Sequence, residues 1–465
     1  MHVRTLIVGG GAAGLAPLVA ASRDGRLDAL LRDGLAIVER GPTIGAGRLG
    51  QYAITSDSTA ETFLAAVTGH VDPRLGQLLK DPISENFARL GRSAVSLREA
   101  GRLLDLVGSV LAEAVATSRG AVLTGHEAVA AQRQGDGTWR LHLRRAQDGL
   151  MRHVTTEHLV LATGGVQDLA ALSRTDFGGR PLLPTCAGRL MLSDELLRPE
   201  SLSHLRARLA SVASPRVAIV GGSTSALATA GLLLRDCGDL LAAPGSISIL
   251  HRRPLRIFYP SVAAAEVDGY RDFGPDDICP VSGFVYRLAG FRLDSRELVM
   301  RLLGIGGRPP EPRIVLRSIT SATVPDIHRC LDGAYLVVAA TGYTPRALPI
   351  RGKSGRDIRL RGHSGSGPLV DRSCRICDAS GRPIPNLFGI GLAAGFVPSG
   401  KLGGEPSFRG QANGLWLWQT AVGAMIVDQL LAEARPASAG ALHGAAAEPI
   451  AAAPAWPARP VFTPG

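Results

Sequence analysis

The chain has 465 residues, 45% of them hydrophobic and 20% charged, enough for two or three domains with real cores and unlike a disordered or fibrous protein. Its net charge of +11 comes from arginine, with only Lys80, Lys353 and Lys401 as lysines. The arginines are scattered without clustered runs or interleaved aromatics, which excludes a nucleic-acid binder and leaves a solvated basic surface or a bias toward anionic substrates.

The first element is the stretch Thr5 to Leu15, T-L-I-V-G-G-G-A-A-G-L, which predicts a strand, a tight turn and a helix. Gly9, Gly11 and Gly14 form G-x-G-x-x-G: Gly9 for the turn, Gly11 for close approach of a pyrophosphate, Gly14 for packing of helix on strand. The helix then points unpaired N–H groups, including those of Ala12 and Ala13, toward the phosphates. Leu35 to Val38 is the next strand, and Glu39 ends it about 25 residues past Gly14, where a ribose-binding carboxylate belongs. Pro17 disagrees with this pattern and is expected to kink the helix or delay its start. The apolar start is broken by glycines and continues as a βαβ unit, so it does not read as a signal peptide, and no other stretch is expected to span a membrane. A cytoplasmic protein is the plain expectation.

After Glu39 comes a glycine-rich loop through Gly45, Gly47 and Gly50, placed to pass along a cofactor, with Arg48 and Gln51 able to touch it. Ser58 to Ser118 is mostly helical in pattern and is expected to cover the cofactor. Short strands follow at Ala121 to Leu123, Ala128 to Ala131 and Trp139 to Leu143, with a hairpin turn at Gly135 and Gly137. A buried strand from Leu159 ends in Ala162-Thr163-Gly164-Gly165.

The opening pattern then repeats at Pro215 to Ala230, where Gly221, Ser223 and Ala226 hold the three small positions of a second dinucleotide turn. Gly222, Thr224 and Ser225 share that turn, and the hydroxyl of Ser223 can itself contact a phosphate. Its partner strand, Ile247 to Leu250, ends in His251-Arg252-Arg253 instead of an acid; arginines there suit a 2′-phosphate, hence NADPH over NADH. Tyr259 to Arg301 has little periodicity and carries Tyr259, Tyr270, Asp272, Asp276, Asp277 and Arg287, the mark of a functional excursion. Further strands at Tyr335 to Ala340 and Leu387 to Gly391 end in Ala340-Thr341-Gly342-Tyr343 and in Gly389-Ile390-Gly391. A loop from Pro398 to Arg409 leads to helical spacing over Gln411 to Leu431, and the Ala/Pro-rich remainder reads as a disordered tail.

The six cysteines are scattered and read as reduced thiols. Cys374-Arg-Ile-Cys377 has no second cysteine or histidine pair to make a metal site, and the structural reading is preferred.

Two dinucleotide turns about 210 residues apart, each with its own A-T-G strand, and a final G-I-G strand before a closing helix, resemble the two-dinucleotide-binding-domain flavoproteins. Within them the chain is most similar to the NADPH-dependent flavin monooxygenases of the N-hydroxylating branch, over about Thr5 to Leu431. The fingerprint F-x-G-x-x-x-H of the Baeyer–Villiger and dimethylaniline-type monooxygenases is absent: only L-M-L-S-D-E-L-L stands before the second turn. No cysteine pair follows Glu39 as a disulfide reductase requires.

The resemblance implies an α/β protein of two Rossmann-like domains: a discontinuous FAD domain (1–185 and 331–432), an inserted NADPH domain (186–330) and a disordered tail (433–465). It implies FAD on Gly9, Gly11, Ala12, Ala13, Gly14, Glu39, Arg48, Gln51 and Thr163, with Gly391, Arg409 and Gln411 beside the flavin ring. NADPH falls on Gly221, Gly222, Ser223, Thr224, Ser225, Arg252, Arg253, Thr341 and Gly342. The chemistry implied is hydride transfer to flavin, then O₂ addition as a C4a-(hydro)peroxide and oxygen transfer to a small nucleophile such as an amine. Asp57, Lys401, Glu405 and Asn413 are candidates for the substrate pocket, in loops expected to border the flavin. Expected partners are a small-molecule substrate and O₂, with no metal, nucleic acid or membrane; oligomeric state is open. A reductase or dehydrogenase that inserts no oxygen, and a non-catalytic flavin sensor, would use the same turns.

Overall fold

A computed structural model describes residues 1–346, 348–364, 367–392 and 394–432; the expected tail, 433–465, lies outside the described residues. Two sheets organise the chain. The first has nine strands among the described residues. Its parallel part runs Ala121–Leu123, Leu35–Val38, His2–Val8, Met151–Leu161 and Pro383–Gly389. Strand Leu35–Val38 is buried at every residue, as a strand covered on both faces requires. Met151–Leu161 forks: its first half also pairs antiparallel with Trp139–Arg145, and that strand pairs with His126–Arg133 through the expected hairpin.

The second sheet has five parallel strands among the described residues, in the order Leu190–Leu192, Leu336–Ala339, Val217–Val220, Ile247–His251, Ile314–Ser318. This corrects the expected boundary at 331. Leu336–Ala339 belongs to the second sheet, where Val338 lies opposite Ile219, because its four buried residues fill the position between two other apolar strands. The chain leaves the first sheet along Gly165–Val166 and returns along Thr344–Pro345, and these two short strands pair antiparallel, so both crossings between the units run side by side.

The helix Ala12–Arg23 runs through Pro17 with no delayed start. Ten of its twelve residues are buried, and this packing outweighs the one lost backbone bond. The closing helical segment starts at Leu415, not Gln411, passes through a π-helical turn at Trp418–Val422 and continues as Gly423–Ala432. Leu415–Ala432 does reach the length and mean hydropathy (1.2) of a membrane span, contrary to the expectation. It packs on the opening helix: a Cβ on Gly423 would lie 2.7 Å from the Ala16 carbonyl oxygen.

The helical region after Ser58 holds the glycine-rich loop. Along Leu97–Ala116, Gly101 meets Gly50 and Gly108 meets the Ile44 carbonyl so closely that a Cβ would fall within 2.7 and 2.1 Å, and the Ala46 N–H donates to the Asp105 carboxylate at 2.9 Å. Tyr259, Tyr270 and Tyr286 of the 259–301 excursion pack in the core of the second unit. Tyr259 and Tyr270 stack at 5.4 Å, and Arg296 and Arg256 cover the Tyr259 and Tyr286 rings at 4.6 and 4.8 Å.

Two histidines make the fold sensitive to acid. Burial, helped by Arg4, pushes His158 down to about 4, and burial, helped by Arg23, does the same to His70. An unfolded histidine binds its proton near pH 6.5, so below that the unfolded state holds more protons and stability falls until about pH 4. Each site is expected to contribute up to about 3 kcal/mol to this loss. Melting temperature should therefore drop between pH 7 and pH 5, less steeply in His158→Gln; equal profiles for the two proteins would remove His158 from the account.

Candidate functional site

Both dinucleotide turns are built by the same contact. Gly9 has φ +102° and a Cβ there would lie 2.3 Å from the Ala162 carbonyl oxygen; at Gly221 it would lie 2.2 Å from that of Ala340. Each turn is thus wedged against its own A-T-G strand end, which places Thr163 beside the first turn and Thr341 beside the second. Gly14 is packed still more tightly, 1.8 Å from its would-be Cβ to the Gly9 carbonyl oxygen.

Gly11 differs. Its φ of −74° suits any residue, and the nearest atom to a Cβ is the Gly47 Cα at 3.4 Å. The fold itself leaves room for a side chain here, so packing within the protein does not demand glycine at this position. The position caps helix Ala12–Arg23 and receives no side-chain cap, so the N–H groups of the first turn are open to an anion. Glu39 stands across the turn and accepts from the N–H of Gly10 and of Gly41, both at 2.7 Å, with lone pairs left for ribose hydroxyls. Gly391 closes the other side, its would-be Cβ 2.7 Å from that of Ala13. These residues fit a flavin dinucleotide.

At the second turn Ser223 occupies the cap position with its hydroxyl unused by the helix, as a phosphate contact requires. Arg252 lies over the Phe177 ring at 5.6 Å and donates to the Asp176 carbonyl oxygen, while Arg253 is exposed. Both stand at the end of strand Ile247–His251, beside the turn. These residues fit a phosphorylated dinucleotide.

Two of the substrate-pocket candidates, Glu405 and Asp57, are engaged by groups of the protein itself. Glu405, 3% exposed, accepts from the backbone N–H of Leu288 and Ala289 at 3.0 and 2.8 Å, so it ties its loop to the second unit. Asp57 accepts from the Ser295 hydroxyl at 2.9 Å; burial raises its pKa, with hydrogen bonds from Ser295 and Thr224 opposing. It joins the first unit to the second turn. Lys401 and Asn413 are exposed, as is Gln411. The Arg409 guanidinium turns back onto the carbonyls of Pro406 and Phe408. Cys374 and Cys377 are buried, with burial pushing both thiols up, which suits packing and not redox chemistry.

Sequence reading missed a cavity of about 300 Å³ between the two units, lined by Arg40, Arg48, Gln51, Val166, Gln167, Leu192, Asp194, Arg198 and Arg346. Asp194 is its hub. It pairs with Arg48 at 2.5 Å and Arg198 at 3.0 Å, and accepts from the hydroxyls of Tyr52 and Tyr343 at 2.6 and 3.3 Å. Burial, then Asp194, pushes Tyr343 up to about 12, so its hydroxyl stays protonated. Gln167 fixes the hub by accepting from the Asp194 N–H and donating to Ser193 and to the Ala339 carbonyl oxygen. A signal was present: Arg40 directly follows Glu39, and Arg346 follows Gly342-Tyr343 by three residues.

No family model matches the chain. It is 32% identical over 447 residues to a CMP-5′-(3-aminopropyl)phosphonate hydroxylase from Streptomyces rubellomurinus, covering 93% of this chain and 98% of that one. Among solved structures, the cadaverine monooxygenase of desferrioxamine biosynthesis from Erwinia amylovora, bound to FAD, superposes with TM-score 0.58 at 13% identity, covering 92% of this chain and 94% of that one. An ornithine N-hydroxylase from Kutzneria sp., in complex with reduced FAD, NADP⁺ and L-ornithine, gives 0.53 at 16% identity, covering 94% of this chain and 100% of that one. The ornithine hydroxylase of Pseudomonas aeruginosa gives 0.54 at 16% identity with the same coverage.

Proposed function

Because the chain belongs to the FAD- and NADPH-dependent N-hydroxylating monooxygenases, we propose that it hydroxylates the primary amine of an aminoalkyl phosphonate carried on a nucleotide. The hydroxylase from Streptomyces rubellomurinus, by its name, acts on such a compound. The observation that carries the reading is Gly11, whose missing side chain the fold does not require and a dinucleotide at the helix N-terminus does. FAD would be held by Gly9 to Gly14, Glu39, Arg48, Gln51 and Gly391, and NADPH by Gly221 to Ser225, with Arg252 and Arg253 taking its 2′-phosphate. Bound there, NADPH supplies two electrons and the flavin supplies the activation of O₂.

The chain's own part is binding, orientation and exclusion of water. Asp57 and Asp194 join the units across the seam, through Ser295 on one side and through Arg48 and Tyr52 on the other. This fixes the distance between the two cofactor sites. The reaction takes place in the cytoplasm, in keeping with soluble cofactors and a small charged substrate.

Labelled oxygen tests the reading. Under ¹⁸O₂, with NADPH and an aminoalkyl phosphonate nucleotide, the product is expected to gain one labelled oxygen on nitrogen, one per NADPH consumed. NADPH oxidation with peroxide release and no labelled product would give the protein to the reductase alternative.

A further inference from the structure

We infer that the arginine-lined cavity at the seam is an anion site that selects the substrate by its phosphonate or phosphate group. This rests on the function proposed above and assigns residues to it. Four arginines, Arg40, Arg48, Arg198 and Arg346, line the cavity against one carboxylate, Asp194. Asp194 pairs with Arg48 and Arg198; among the described residues Arg40 and Arg346 have no ion-pair partner. Burial, then the like charges of Arg40 and Arg48, lowers the pKa of Arg346, so cationic side chains are gathered here against their own repulsion. A phosphorus oxyanion relieves that repulsion, and the planar guanidinium forks match its geometry.

Under the function proposed above the cofactor phosphates have other places: the helix N-terminus at Gly11 for the FAD pyrophosphate, the second turn at Ser223 for that of NADPH, and Arg252 with Arg253 for the 2′-phosphate. The cavity is a separate site. Arg48 and Gln51 in its lining come from the glycine-rich loop of the first unit, while Leu192, Asp194 and Arg198 come from the second unit. An anion would be held by Arg40 and Arg346, the two guanidiniums of the cavity that have no ion-pair partner among the described residues. The cavity's volume of about 300 Å³ is at the small end of ligand pockets, enough for a phosphonate group and its tether.

The test is calorimetric titration of the FAD-loaded full chain with 2-aminoethylphosphonate, ethylamine and uridine 5′-monophosphate, whose pyrimidine fits the adenine sites of the cofactors poorly. The phosphonate is expected to bind and the matched amine not, and Arg346→Gln or Arg40→Gln to weaken the phosphonate at least about 10-fold. Arg346→Lys should recover part of the loss. Binding by uridine 5′-monophosphate as well assigns the site to phosphate of the nucleotide; binding by the aminophosphonate alone assigns it to phosphonate. Equal behaviour of phosphonate and ethylamine would overturn the inference. So would variants that keep phosphonate binding but lose FAD or NADP⁺ affinity, since the arginines would then serve cofactor phosphates. Binding needs no turnover, so failure of the oxygen-labelling experiment with anion binding intact would overturn the hydroxylase reading alone.

Discussion

Gly11→Ala is expected to give a folded protein that purifies without its flavin. Gly11 has an ordinary backbone conformation, and its new Cβ would make only normal van der Waals contact with Gly47, at 3.4 Å. Losing glycine for alanine at a helix cap costs about 1 kcal/mol or less. A methyl group in the path of a pyrophosphate is overpacking that costs 1–3 kcal/mol, so FAD affinity should fall about 10- to 100-fold. Flavin absorbance of the purified protein and a titration of added FAD measure the effect. Gly14→Ala is the contrast, since its Cβ would lie 1.8 Å from the Gly9 carbonyl oxygen and the turn itself must move. Retention of FAD at wild-type affinity by the folded Gly11→Ala protein would take the pyrophosphate away from this helix.

Arg252→Ala with Arg253→Ala should raise the KM for NADPH at least about 100-fold and leave that for NADH unchanged within about 2-fold. Each charge-assisted hydrogen bond to a 2′-phosphate is worth about 1.5–3 kcal/mol, and NADH has no group there to lose. Arg252 is braced on the Phe177 ring and the Asp176 carbonyl oxygen, while Arg253 is free to reach a ligand. The measurement is steady-state oxidation of both nucleotides by the FAD-loaded variant. An unchanged preference would place the 2′-phosphate elsewhere.

Much of the fold and both strand–turn–helix units were legible in the sequence because each rests on residues close together in the chain. Gly9 to Gly14 and Gly221 to Ala226 lie between a β-branched strand and a helix, and their steric demands are local. The same holds for Glu39, at the end of its own strand. Glu405 and Arg409 carried no such signal: a carboxylate in a loop looks alike whether it meets a substrate or the Leu288 and Ala289 backbone, and only tertiary contact separates the two.

Strand Leu336–Ala339 was visible as a strand, but its sheet was not, since burial on both faces suits either sheet and pairing register with Val217–Val220 decides. The arginine cavity lies furthest from sequence. Arg40, Arg48, Arg198 and Arg346 are scattered over three hundred residues and meet because the outgoing strand Gly165–Val166 pairs with the returning Thr344–Pro345. The sequence by itself determined the two dinucleotide turns, through steric rules acting over a few residues. Which charges share the seam was decided by the tertiary structure, because that depends on how two distant segments cross.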